Sequence, residues 1–246
     1  MLASPSSPVQ EDILAENAYI DIHCHQLSDV NGFALLSVDM HDYKPELLQT
    51  GFCALGLHPW YISQQDCQTE LELLATQLHN PNVLAVGECG LDSSINTPLA
   101  LQRELFIQQI QLAYQANKPV IIHCVRAFHE LLQLRKISKT SLSSSWIIHG
   151  FNSKPEIAAH LIKHGCYISF GKALVHANSH ASQMIASLPI NRVFLETDVS
   201  ELTIKQIYAL AAQRTGLNVE SLKLAIAENF RRVLFGASHQ KWHYLK

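Results

Sequence analysis

From Tyr19 onward, short apolar runs alternate with stretches of helical periodicity. Eight runs read as strands: Tyr19 to His23, Phe33 to Val38, Cys53 to Leu57, Val83 to Gly87, Pro119 to Ile122, Trp146 to Ile148, Cys166 to Ser169 and Arg192 to Glu196. Helical spacing is clearest in Thr69 to Leu78, Leu99 to Ala116, Phe128 to Leu134, Pro155 to His164, and from Ile204 to the C-terminus. In the second of these, Leu101, Leu105, Ile110 and Leu112 read as the apolar side, with Gln102, Arg103, Gln109 and Gln115 as the polar one. Strand and helix in alternation imply parallel βαβ units, and eight strands imply an α/β fold of the distorted TIM-type (β/α)8 barrel class. Only Gln26 to Gly32 separates the first two strands, too little for a helix with its loops, so the first unit is read as truncated.

The length of 246 residues fits a single barrel domain over 16–246, preceded by a flexible Ser- and Pro-rich tail over 1–15. A 48% apolar share supports a large core, and a net charge of -3 supplies no bulk attraction to nucleic acid, so any such contact must be local. No apolar run approaches membrane-spanning length and the N-terminus lacks a signal-peptide pattern, which reads as a cytoplasmic protein with no membrane partner, monomeric by default. The six cysteines form no CxxC pair. Cys24, Cys89 and Cys124 each follow a candidate ligand, so strand alternation turns them toward the helix layer as small buried residues.

Barrel enzymes carry their chemistry at the C-terminal strand ends. There the chain places His23 and His25, Glu88, His123, His149 and Asp198, with His58 just beyond the third strand. His23 and His25 are one strand period apart, so both imidazoles project to the same side and can converge on one ion. A lone pair of this kind arises by chance. Its weight comes from the later strands, where Val83 to Gly87, Pro119 to Ile122 and Trp146 to Ile148 each run apolar into a single ligand-type residue. Four histidines and two carboxylates suffice for two divalent ions with open positions, with Glu88 as the bridge. The mixed N/O donors admit zinc, manganese or magnesium. Two such ions lower the pKa of bound water and stabilise both oxygens of a phosphoryl displacement, leaving Asp198 to orient or deprotonate the nucleophile.

Ile20-Asp21-Ile22-His23-Cys24-His25, Gly56-Leu57-His58-Pro59, Gly87-Glu88-Cys89-Gly90-Leu91-Asp92, His149-Gly150-Phe151 and Glu196-Thr197-Asp198 occur in this order. Together they resemble the motifs of the TatD family of metal-dependent deoxyribonucleases, among the amidohydrolase-like barrels, and the resemblance runs from Tyr19 to Phe235. It implies metals held by His23, His25, Glu88, His123, His149 and Asp198, catalysis through Asp198 and Glu88, DNA phosphodiesters as substrate, and His58 near the substrate phosphate.

The chain departs from that pattern at two points. Ser93 stands where many relatives carry an aromatic residue after the Gly-Leu-Asp segment, and the basic residue expected two after His123 is Val125, with Arg126 displaced by one. Arg126 and Lys172 are the candidate phosphate contacts, and Trp60 and Tyr61 offer aromatic surface at the mouth. The departures leave two alternatives open: the same metal chemistry on another ester, lactone, amide or small phosphoester, and a barrel that binds metal without catalysis.

Overall fold

The computed structural model describes residues 18–27, 32–62, 66–138 and 144–234. The tail assigned to 1–15 lies outside them. Each apolar run forms a strand: β1 (Tyr19–Cys24), β2 (Gly32–Asp39), β3 (Phe52–Gly56), β4 (Val83–Asp92), β5 (Val120–Val125), β6 (Trp146–Ile148), β7 (Tyr167–Phe170) and β8 (Val193–Leu195). The strands are parallel and hydrogen-bonded in chain order, β1 to β8. Around them lie α1 (Cys67–Gln77), α2 (Leu99–Gln115), α3 (Phe128–Ser138), α4 (Pro155–Lys163), a short α5 (His180–Met184), α6 (Ile204–Thr215) and α7 (Val219–Leu234). None of the described helices is long and apolar enough to cross a membrane.

The truncated first unit is real: residues 25–31 join β1 to β2, and two 3-10 turns, Met40–Asp42 and Pro45–Gln49, join β2 to β3. The surface left bare is covered from the other end of the chain, where Phe230 of α7 packs against Phe33 of β2 with ring centroids 4.5 Å apart. The single helix read from Ile204 onward is in fact two. Gly216 takes a left-handed φ of 74° and ends α6, as glycine does at helix C-termini, before α7 restarts at Val219.

The barrel nearly closes between β1 and β8. At the upper end the Asp198 N–H donates to His23 O at 2.9 Å, and Cys24 forms an isolated parallel bridge with Asp198. Lower down, side chains stand in for a ladder. The Tyr208 hydroxyl of α6 accepts the Ile20 N–H and donates to Ile20 O, each at 3.2 Å. Asp21 accepts from Thr197 N (3.0 Å) and Thr197 Oγ1 (2.6 Å).

β4 and β5 run beyond Gly87 and Ile122, where the sequence reading ended them, to Asp92 and Val125. The register slips between Val86 and Cys89 in β4 and between Asp21 and Cys24 in β1. Such irregularities re-aim side chains, and here they fall on Glu88 and His23. At Gly90 a Cβ would lie 2.0 Å from His123 O, so glycine alone lets these strands meet beside the two ligands.

Candidate metal centre

Glu88 stands at the centre of the mouth, 6% exposed, with each carboxylate oxygen facing its own set of imidazoles. Oε2 lies 3.3 Å from His23 Nε2 and 3.3 Å from His25 Nε2. Oε1 lies 2.7 Å from His149 Nε2, 2.9 Å from His123 Nδ1 and 3.0 Å from His58 Nε2. Asp198 joins the first set, with Oδ1 3.7 Å from His23 Nε2 and 3.6 Å from His25 Nε2. Every residue assigned to metal in the sequence therefore reaches one cluster.

The donor geometry fits cations. Ligands about 2.0–2.1 Å from a tetrahedral zinc stand roughly 3.3–3.4 Å from one another, close to the spacings around Glu88 Oε2. His23 is fully buried, yet neither of its ring nitrogens has a hydrogen-bond partner. A buried imidazole aimed at two carboxylates without a bond to either has the placement of a ligand. The electrostatics agree. Burial opposes charge on His23 and His149, but Glu88 overrides it, with help from Asp198 and Glu196 respectively, raising His23 to about 9 and His149 well above the ordinary range. Burial would likewise raise the Glu88 carboxyl, and the charges of His149 and His23 hold it well below the usual carboxylate range instead. Without ions the pocket gathers protons where positive charge is wanted.

His58 has a different part. The Trp60 backbone N–H donates to its Nδ1 at 3.1 Å, which leaves that nitrogen unprotonated, while burial lowers the ring's pKa. In the neutral ring the proton then sits on Nε2 and is donated to Glu88 Oε1. His58 thus presents a hydrogen to the cluster rather than a lone pair, although its position would also suit a group with Glu88 and His123.

Two carboxylates were missed as site residues. Asp92 Oδ2 accepts from His123 Nε2 at 3.1 Å, turning Nδ1 as a lone pair toward Glu88. Burial would raise the Asp92 carboxyl, and hydrogen bonds from Ser94 and Trp60 bring it down to about 2. Glu196, 0% exposed, sits 3.6 Å from His149 Nδ1 and accepts the Gly150 N–H. Each is an even number of residues from a recognised ligand, four from Glu88 and two from Asp198, the spacing that keeps side chains on one side of a strand. Two glutamines were assigned to the wrong face. Gln102 and Gln109 lie on the buried stripe of α2, where Gln109 bonds Leu57 N and O (2.8 and 3.2 Å) and Gln102 bonds Asp92 N and O (2.7 and 2.9 Å). They hold the segments that carry His58 and Asp92, whereas Leu101 is the exposed position.

The two candidate phosphate contacts stay outside the cluster. Arg126, exposed and with a left-handed φ of 53°, lines a cleft of about 490 Å³ with Asn152 and Ser153. Lys172 is exposed at the start of the turn after β7. Neither makes an ion pair among the described residues. Cys24 and Cys89 are fully buried, and Cys124 is half-buried at the same cleft. Burial pushes all three thiols up.

Comparison with known proteins agrees with this geometry. The chain is 31% identical over 191 residues to a metal-dependent hydrolase of Haemophilus influenzae, covering 72% of each chain. It is 30% identical over 161 residues to the human 3′-5′ RNA nuclease TATDN2, covering 63% of this chain and 21% of that protein. The fold matches the crystal structure of YjjV, a TatD homologue from Escherichia coli K12, with a TM-score of 0.77 and 23% identity over 88% of this chain and 98% of the other. Residues 36–235 match the TatD related DNase family, and with the barrel and its histidine–carboxylate cluster in place, the chain belongs to that family of metal-dependent hydrolases.

Proposed function

We propose that the protein is a two-metal phosphodiesterase that cleaves nucleic acid, with DNA as the principal substrate. The observation that carries this is Glu88, whose two oxygens face separate histidine sets and so can bridge two ions. His23, His25 and Asp198 would complete one position, and His123 and His149 the other. Two divalent ions held there would supply activation of water and stabilisation of charge on the phosphoryl oxygens.

The remaining work falls to the chain. Burial would raise the Asp198 carboxyl, but the His23 ring 3.7 Å away and the charges of His149 and His23 keep it below the usual range, ionised at neutral pH and able to accept a proton at Oδ1. Its left-handed φ of 54° is a strain that the seam bonds to β1 sustain. With Glu88 Oε1 turned to a cation, the His58 Nε2–H would be free to donate to a phosphoryl oxygen. Asp92 and Glu196 orient His123 and His149. Arg126, in its cleft, and Lys172 contact phosphates further along the strand.

The test is hydrolysis of single-stranded DNA, duplex DNA, RNA and a generic phosphodiester by the protein reconstituted with magnesium, manganese or zinc, with Asp198→Asn as control. Metal-dependent DNA cleavage that is lost in the variant supports the reading. RNA cleavage alone shifts the polymer. Turnover of the generic ester without cleavage of either polymer moves the substrate to another ester.

A further inference from the structure

Trp60 is half exposed at the barrel mouth, with 50% of its surface open, and yet it is pinned at two points. Its backbone N–H donates to His58 Nδ1 at 3.1 Å, and its indole Nε1–H donates to Asp92 Oδ2 at 2.8 Å. Asp92 is 1% exposed, and the same Oδ2 accepts from His123 Nε2. The ring stands edge-on to His58 and His123, with centroids 5.0 and 5.8 Å away. Tyr61, 40% exposed, lies 5.8 Å from His58. A large apolar ring held rigid and bare beside the reacting groups has already given up the rotamer freedom that a ligand would otherwise have to restrict.

Resting on the nuclease reading above, we infer that Trp60 is the stacking platform for an unpaired nucleobase next to the scissile phosphate. Such a platform engages only a base with a free face, because a base within a duplex has both faces covered by its neighbours. Two further observations point the same way. The net charge of -3 supplies no bulk attraction to nucleic acid, so local contacts must carry the affinity, and an uncharged ring beside the cluster is one of them. Ser93 leaves the position after Asp92 without a ring, while Trp60 presents one from β3's side, tied to that same Asp92.

The experiment compares short single-stranded oligonucleotides that carry either a base or an abasic residue beside the target linkage. Non-hydrolysable phosphonate-linked versions are bound to the manganese-loaded full chain and followed by fluorescence anisotropy, and cleavable versions give KM and kcat. The wild type should bind the base-bearing oligonucleotide about tenfold more tightly, toward the lower end of what base–aromatic stacking contributes. Trp60→Leu should lose that discrimination through affinity and KM. Trp60→Phe, which keeps a ring but not the N–H, should retain most of it. Equal wild-type affinity for the two oligonucleotides overturns the inference without need of a variant, and so does discrimination that survives in Trp60→Leu. If the wild type cleaves DNA but ignores the missing base, the nuclease reading stands and the platform falls. If it neither binds nor cleaves either oligonucleotide, both fall.

Discussion

Asp21 allows the physics of the barrel seam to be tested by pH. The side chain is 3% exposed in β1 and spans to Thr197 through hydrogen bonds of 2.6 and 3.0 Å. Burial outweighs those bonds and raises the carboxyl from 3.8 to about 6. A folded-state pKa above the unfolded value means that the fold prefers the protonated form. The resulting stabilisation is full below about pH 3.8 and is lost as the pH rises through about 6. The whole shift corresponds to about 3 kcal/mol, of which about 2 kcal/mol falls between about pH 4.5 and about pH 7.5. Asn keeps the shape and an acceptor oxygen but does not titrate. Urea unfolding of wild type and Asp21→Asn, both in chelator, gives the two stabilities. Their difference, wild type minus variant, should be about 2 kcal/mol larger at the acid pH. A difference that is flat across this range, or that grows with pH, would refute the claim that burial dominates at this carboxylate.

Other perturbations probe the cluster and its supports. Glu88→Ala removes the residue that faces both histidine sets, so metal content measured by mass spectrometry should fall at both positions, and unchanged stoichiometry would remove Glu88 from the ligands. Gln109→Leu breaks both bonds to Leu57 beneath His58. It should cost about 2–3 kcal/mol of stability and lower kcat, whereas a loss in denaturation alone would show that His58 does not depend on that brace. Loading zinc at neutral pH should release about two protons, from His23 and His149, read by calorimetry in buffers of different ionisation enthalpy. The release should shrink as the pH rises through about 9, where His23 no longer holds its proton.

The strands were legible because each is a compact apolar run, and the ligands because each interrupts or ends one. Strand ends were harder to place. Nothing in Cys89-Gly90-Leu91-Asp92 shows that pairing continues past a charged Glu88, and the continuation depends on a close approach to β5 that only Gly90 permits. That extension is what brings Asp92 to His123, a contact the motif alone does not reveal. The α2 glutamines were misplaced because polarity was given more weight than spacing. Gln102, Leu105, Phe106, Gln109, Ile110 and Ala113 follow one helical stripe, and the glutamines on it answer backbone groups that lie far away in sequence. His58's proton could not be read at all, since it is set by the backbone N–H of Trp60.

The seam between β1 and β8 also bears on how the chain is made. Ile20 and Asp21 meet Tyr208 and Thr197, partners 188 and 176 positions further along, and Phe33 waits for Phe230. A ribosome that has released the first half of the polypeptide has released β1 paired to β2 on one side, while its neighbour on the other side, β8, does not yet exist. With only residues 25–31 between β1 and β2, that edge stays open to the wrong partner until β8, α6 and α7 emerge. Slow translation or a holding chaperone should therefore matter more for this barrel than for one that begins with a complete βα unit.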